Sequence, residues 1–304
     1  MANQIFKNKE DQELFNKQGF LIKPFLDKYA VEKLSTFFDE NHDLNGKEGF
    51  NSGSYSADFD YKKHCSDFIL EVFSPIYQRL FVNYEAFGGA FLYKAPGENS
   101  ELAAHQDWTI VNEKESVALN CWVPLCDITL HNGPIQILPG SQFDNIEVLR
   151  APTLPFFFTG YEDVVLPELE SMEVSAGTAV ILNQSVIHYS PSNRSKEVRK
   201  AITAGVMTKG ADMIFYHKKN ENEVDQYKMD KEFLLKFENF YEDIVSKPKH
   251  GEYLQTIDYK IPNYAKSDLR KLVKSVKVKA GYPLKGKYEP SFYQRISNFL
   301  SLKK

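Results

Sequence analysis

Five short runs decide the fold: FGGAFLYK (87–94), VALNCWVPL (117–125), GPIQILPGS (133–141), GTAVILN (177–183) and RKAITAGVM (199–207). Each is apolar or alternating, and each is bounded by Gly, Pro or Asn. Successive side chains of a strand point to opposite faces, so such runs suit strands with a buried face. Many short strands between about Tyr84 and Thr208 predict a mainly β fold with flanking helices, a sandwich or barrel.

The flanks read differently. Residues 1–83 are predicted helical. Asp27 suits the cap of a helix carrying Ala30, Val31, Leu34, Phe37 and Phe38. A second amphipathic segment, about 66–82, carries Phe68, Ile69, Val72, Phe73, Ile76, Tyr77 and Leu80, and Pro75 is expected to kink or interrupt it. A polar stretch (45–60) lies between them. Residues 150–166 form a longer insert with three successive Phe. Beyond Thr208 we expect one more strand, a helix over about 230–243, and then a basic tail.

Composition excludes some classes. Of 304 residues, 42% are hydrophobic and 26% charged, ordinary globular values that argue against disorder or a fibrous fold. No apolar run approaches the length of a membrane-spanning helix. The first residues carry no apolar leader core, so a cytoplasmic location is expected. Cys65, Cys121 and Cys126 form no disulfide framework and are read as free thiols. The net charge of -4 hides an asymmetry: residues 266–304 hold 11 Lys/Arg and 2 Asp/Glu, while 1–265 hold 26 and 39. We therefore expect a single domain over 1–265 with a core at about 84–217, and a basic C-terminal extension over 266–304.

The chemistry lies in two stretches. In His105-Gln106-Asp107, residues i and i+2 of a strand share a face, so His105 and Asp107 can present a nitrogen and an oxygen to one metal ion. A lone His-x-Asp is common by chance. The second stretch is QSVIHYSPSNRSKEVRKAIT (184–203). His188 ends an apolar run, a turn signal follows, and a strand opens with Arg199. Two strands around that turn are expected to return Arg199 beside His188. His105, Asp107 and His188 then make a facial triad with open positions, the arrangement of non-haem Fe(II) oxygenases. Arg199 is suited to grip the distal carboxylate of 2-oxoglutarate with its planar fork, and Ser190 to donate to the same carboxylate.

These residues carry a resemblance to the phytanoyl-CoA dioxygenase family of Fe(II)/2-oxoglutarate-dependent oxygenases. It runs from about Gly19 to Thr208 and rests on GFLIKPFL (19–26), HQD (105–107), the strand with Trp122, NGPIQILPGSQ (132–142), HYSPSN (188–193) and VRKAI (198–202). It implies a double-stranded β-helix (jelly roll, cupin-like) with the helical N-terminal region outside it. It also implies iron ligands His105, Asp107 and His188, and 2-oxoglutarate contacts from Arg199, Ser190 and Trp122. Asn193 matches a recurrent family residue, read as shaping the turn. Related halogenases replace the carboxylate ligand by a small residue. Asp107 is retained here, so oxygenation is expected, most simply C–H hydroxylation. Desaturation and ring formation use the same ligands.

Other residues receive plainer readings. Gly133 and Gly140 are assigned to turns. Phe156, Phe157, Phe158 and Tyr161 are read as loop packing, with a substrate wall as the alternative. Tyr55 and Tyr61 are lid candidates beside a packing reading. Lys94 is read as a solvated surface residue, with a contact to an acidic substrate group as the alternative. His42, His64, His131, His217 and His250 are read as structural or exposed. The expected function is an Fe(II)/2-oxoglutarate-dependent dioxygenase that uses O2, hydroxylates a small metabolite (an amino acid or natural-product intermediate) and releases succinate and CO2. One alternative is a substrate tethered to a carrier protein, peptide or lipid. The basic tail, with its weakly amphipathic end SFYQRISNFLSLKK (291–304), would dock there on an acidic partner or an anionic membrane. In the other view that tail folds back on the acidic body. A further alternative is a non-catalytic metal-binding jelly-roll module. No nucleic-acid partner is expected.

Overall fold

The computed structural model describes residues 4–142 and 148–284. In chain order its elements are α1 (Lys9–Gln18), β1 (Phe20–Pro24), α2 (Lys28–Asn41), β2 (Phe50–Ser52), α3 (Phe59–Leu80), β3 (Tyr84–Lys94), β4 (Leu102–His105), β5 (Ala118–Pro124), β6 (Ile135–Ile137), α4 (Glu162–Val165) and β7 (Glu170–Met172). There follow β8 (Thr178–Asn183), β9 (His188–Ser190), β10 (Arg199–Thr208), β11 (Met213–Lys218), β12 (Glu223–Met229), α5 (Phe240–Asp243), β13 (Glu252–Asp258) and α6 (Lys266–Lys279).

A six-stranded sheet, β1-β8-β5-β10-β3-β2, faces a four-stranded sheet, β4-β9-β6-β7, and the pairings are antiparallel. These two sheets form the jelly roll. The alternation along β5 shows why. Leu119, Cys121 and Val123 point outward and pack with Ile69, Phe73 and Tyr77 of α3 and Leu34 and Phe38 of α2. Trp122 points inward, joining Val180 and Leu182 of β8 against Ile135 and Ile137 of β6. One sheet is thus buried on both faces, which explains why its strands read as nearly continuous apolar runs.

Asp27 caps α2, accepting from the Ala30 amide at 2.8 Å. The helix α3 is longer than the periodicity suggests and is not interrupted at Pro75. Pro75 lies on its exposed face, where water can satisfy the carbonyl that proline leaves without a donor. The Ile69, Phe73 and Tyr77 face holds the helix to the sheet. The polar stretch contributes β2, which extends the sheet edge beside β3.

The expected helix over 230–243 is replaced by a short turn at Phe233–Leu235 and the single turn of α5. Side-chain acceptors compete with helical bonding here. The Asp243 carboxylate takes the Glu238 and Asn239 amides at 2.8 and 2.9 Å, and Asp230 takes the Glu232 amide at 2.9 Å. Two strands that the sequence did not signal, β12 and β13, complete a third sheet in which β12 pairs with both β11 and β13.

The start of the basic segment folds back on the body. Helix α6 buries Leu269, Val273 and Val276 against Ile187, Phe157 and Phe158. It approaches Gly140 so closely that a Cβ there would stand 2.5 Å from the Val276 carbonyl oxygen, and Gly140 also has φ +81°. Lys277 is fully buried and pairs with Glu168 at 3.2 Å and Glu170 at 2.8 Å. The 291–304 stretch read as amphipathic lies outside the described residues. Among the described residues, no helix is long and apolar enough to cross a membrane.

Candidate active site

His105 and His188 are brought together by strand pairing. They are directly opposed residues in the β4–β9 ladder, with ring centroids 4.1 Å apart. Strand β4 ends at His105, so Asp107 is held by other means. Its backbone carbonyl accepts from Arg150 Nε at 2.8 Å. Thr109 and Arg150 exchange further bonds, from the Thr109 amide to the Arg150 carbonyl at 2.9 Å and from the Arg150 amide to Thr109 Oγ1 at 3.0 Å. The Arg150 guanidinium is itself locked by Glu113 through a forked pair, one arm of which is Nη1–Oε2 at 2.9 Å. The result is that ligand-type atoms of His105, Asp107 and His188 all lie within 4.8 Å of one another.

The remaining bonds orient these atoms. The Nδ1 atoms of His105 and His188 lie 2.7 and 3.0 Å from the Ala103 and Val186 carbonyls. A carbonyl only accepts, so each Nδ1 carries the proton and each Nε2 presents its lone pair. Burial and then His188 push the His105 imidazole down to about 4, against Asp107 and the Ala103 carbonyl. The neutral ring that results is the form that binds a metal. Asn120 Nδ2 donates to Asp107 Oδ2 at 2.5 Å, leaving Oδ1 for a cation. Two imidazoles and one carboxylate with open faces are the donor set for a non-haem iron.

Arg199 opens β10 in the large sheet, whereas His188 opens β9 in the small one. The two are therefore not a hairpin pair, as the sequence suggested. The chain crosses between sheets, and Asn193 fixes the crossing by donating to the Lys94 and Glu197 carbonyls at 3.0 and 2.8 Å. Arg199 is buried, and its Nε and Nη1 have no protein partner. Its Cζ lies 5.4 Å from the Trp122 ring centroid. Burial lowers its pKa to about 10, with Cys126 opposing, so it remains a cation at neutral pH. A buried guanidinium with idle donors fits an anion such as the distal carboxylate of 2-oxoglutarate.

Lys94, read as surface, is fully buried as the register partner of Arg199. It donates to the Ser190 and Pro191 carbonyls at 2.8 and 2.6 Å. Burial, and after it Arg199, lower its pKa to about 6. Ser190 Oγ donates to the Gly133 carbonyl at 3.1 Å, so its proton is engaged within the protein.

A cavity of about 270 Å³ opens beside the triad. His105, Asp107 and Asn120 form part of its wall, together with Trp108, Phe87, Phe156, Leu234 and Phe240. Arg199 and Trp122 are not among its walls. Phe156 therefore reaches the cavity, while Phe157 and Phe158 pack on α6. Tyr61 is tied to His42 Nε2 at 2.5 Å. Tyr55 packs on Phe240 at 4.6 Å. Asn120, Gln106, Arg150 and Lys62 were missed by the sequence reading. Only Asn120 left a signal, sharing a strand face with Trp122.

The family model described as Phytanoyl-CoA dioxygenase (PhyH) matches residues 15–201. The chain belongs to the phytanoyl-CoA dioxygenase family. Relatives include a Phytanoyl-CoA dioxygenase domain-containing protein 1 homolog from Dictyostelium discoideum, 27% identical over 66% of this chain and 73% of its own length. Another is Phytanoyl-CoA dioxygenase 1 from Oryza sativa subsp. japonica, 24% identical over 69% and 76%. Among solved structures, the non-heme alpha ketoglutarate dependent carbocyclase SnoK from nogalamycin biosynthesis superposes with a TM-score of 0.50 at 17% identity. That match covers 68% of this chain and 86% of SnoK, and it shows a shared fold. As a member of the family, the protein is an Fe(II)/2-oxoglutarate-dependent dioxygenase that uses O2.

Proposed function

We propose that this dioxygenase hydroxylates an unactivated C–H bond of a small metabolite, an amino acid or natural-product intermediate. His105, Asp107 and His188 hold the iron, and Arg199 holds 2-oxoglutarate with Trp122 against its guanidinium. The observation that carries this reading is the triad itself, three ligand atoms within 4.8 Å, with an apolar cavity that His105 and Asp107 line and a buried Arg199 whose Nε and Nη1 are unpaired.

The bound Fe(II) supplies the oxidation, in which O2 and 2-oxoglutarate yield succinate and CO2 while one oxygen atom enters the substrate. The protein's part is position and exclusion. The carbonyls of Ala103 and Val186 hold the Nδ1 atoms and so aim each Nε2. Asn120 and Arg150 fix Asp107 from its side chain and its backbone. Arg199 orients the co-substrate carboxylate. Lys94, bonded to the Ser190 and Pro191 carbonyls, braces the strand end beneath it. Ser190 serves the co-substrate by releasing its bond to Gly133. Trp108, Phe156 and Phe240 keep the cavity apolar and so limit water near the reacting carbon.

At about 270 Å³ the cavity lies below the usual range for drug-sized ligands. It suits a small substrate, and the bulk of a coenzyme A ester would lie outside it. A second reading rests on α6, whose outer face exposes Arg270, Lys271, Lys274 and Lys279. There the substrate is carried by an acidic carrier protein or an anionic membrane that docks on the basic segment 266–304, itself an extension of the 1–265 oxygenase domain. Salt-sensitive pull-down that is lost on charge reversal of Arg270 and Lys274 supports it, and salt-independent or absent binding removes it.

The test of the main reading is a mass-spectrometric screen of a metabolite extract with Fe(II), 2-oxoglutarate and O2. A compound that gains one oxygen atom with matching succinate formation is expected. Two-hydrogen loss without oxygen gain would replace hydroxylation by desaturation or ring formation.

A further inference from the structure

Adjacent lysines on α3 have opposite surroundings. Lys63 points outward and pairs with Asp67 at 3.1 Å and Glu232 at 3.2 Å. Lys62 points inward, is 2% exposed, and lines the same cavity as His105 and Asp107. Among the described residues it is the one cationic side chain in that wall. Its Nζ donates to the Phe237 carbonyl at 2.5 Å, and no carboxylate among the described residues lies within ion-pair distance. Burial lowers its pKa, and Asp243, Asp58 and Glu238 act against that from longer range. An ammonium has three donors. A single carbonyl leaves this one short of acceptors in an otherwise largely apolar space.

The second observation is of the opposite kind. Gln106 Oε1 and Gln184 Oε1 are buried acceptors without a partner, and both residues line the cavity. The Gln106 amide cannot simply be turned over, because its Nε2 already donates to the Ser185 carbonyl at 2.6 Å. Buried acceptors left idle are costly, and in a binding site they call for a donor on the ligand. Gln106 lies between His105 and Asp107 in the chain, and all three residues line the cavity.

We propose that the substrate is a small organic acid bearing a hydroxyl or amino group, with its carboxylate on Lys62 and its donor on Gln106 Oε1 and Gln184 Oε1. This rests on the oxygenase reading above and narrows its substrate class. Lys62 also ties the cavity to the 233–243 segment through Phe237. Carboxylate binding therefore joins the substrate to the segment that supplies Leu234 and Phe240 to the cavity wall.

The experiment uses the full chain, loaded anaerobically with Co(II) and 2-oxoglutarate. A panel of small hydroxy and amino acids is compared with their primary amides by ligand-observed NMR and thermal shift. Acids are expected to bind about 30-fold more tightly than the matched amides, the scale of a buried charge pair. Lys62→Met should abolish that difference, and Lys62→Arg should retain it. Equal binding of acids and amides to the wild type overturns the proposal, as does the absence of any acid binding. An equal loss of both ligand types in Lys62→Met would make Lys62 a strut for the Phe237 segment only. The wild-type comparison stands even if the Met variant does not fold. Substrate-free succinate formation from 2-oxoglutarate separates the two levels. Its presence without an acid preference removes this proposal alone, whereas its absence from the wild type removes the oxygenase reading as well.

Discussion

Replacing Arg199 by Met should make the ligand-free protein more stable and the enzyme much worse. The guanidinium is buried with Nε and Nη1 unpaired, and burial has lowered its pKa from the ordinary arginine value to about 10. Each pKa unit corresponds to about 1.4 kcal/mol, so holding the charge there costs on the order of 3 kcal/mol at neutral pH. The Trp122 contact returns about 1 kcal/mol of this. A Met of similar length avoids both terms, giving a net gain of about 1–2 kcal/mol and a Tm increase of a few degrees. The same change removes two charge-assisted hydrogen bonds to 2-oxoglutarate, each worth about 1.5–3 kcal/mol. Lys94 is next to Arg199 and takes up part of the loss, so about 3 kcal/mol, or ~150-fold, is the expected rise in the apparent KM for 2-oxoglutarate. Thermal melts with and without 2-oxoglutarate, plus succinate assays over a 2-oxoglutarate series, measure both. The wild type should gain stability on adding 2-oxoglutarate and the variant should not. A less stable variant with an unchanged KM would refute the reasoning, because Arg199 would then be structural and already satisfied.

Three further outcomes follow from the site. Asn120→Ala should weaken metal affinity about 10–100-fold, as removing a ligand-orienting bond does, in a Co(II) titration. Arg150→Met should destabilise the fold by about 3–5 kcal/mol, since it strands Glu113 and frees the Asp107 backbone, and denaturant unfolding reads this directly. Lys94 is neutral in the fold above pH of about 6 but protonated in the unfolded chain up to its ordinary 10.5. The unfolded state binds the extra proton, so stability should rise with pH across that window, and Lys94→Met should flatten the rise in pH-dependent melts.

The legible parts of this protein are those where one residue type has few alternatives. The strands were visible because their apolar runs are short and bounded by Gly, Pro and Asn. His105, Asp107, His188 and Arg199 were visible because metal ligation and carboxylate binding admit few residue types at fixed spacings. Lys94 was misread because a lysine beside a strand end is usually solvated, and only the pairing of β3 with β10 buries it. Arg150 supports Asp107 from 43 residues away, and no local pattern carries such a contact. The segment after Met229 was misread as a helix because Asp230 and Asp243 draw backbone amides away from helical bonding, a competition decided by tertiary packing. Helix α6 shows the same limit: its Leu269, Val273 and Val276 stripe was obscured by the charges around it.

The central claim is that His105, Asp107 and His188 form a working iron centre. Fe(II)-dependent succinate formation from 2-oxoglutarate, with oxygen uptake followed in parallel, tests it in the wild type, His105→Ala and Asp107→Ala. The account predicts turnover in the wild type that a chelator abolishes, and a loss of about 100-fold or more in each variant. Undiminished turnover in both variants would contradict it.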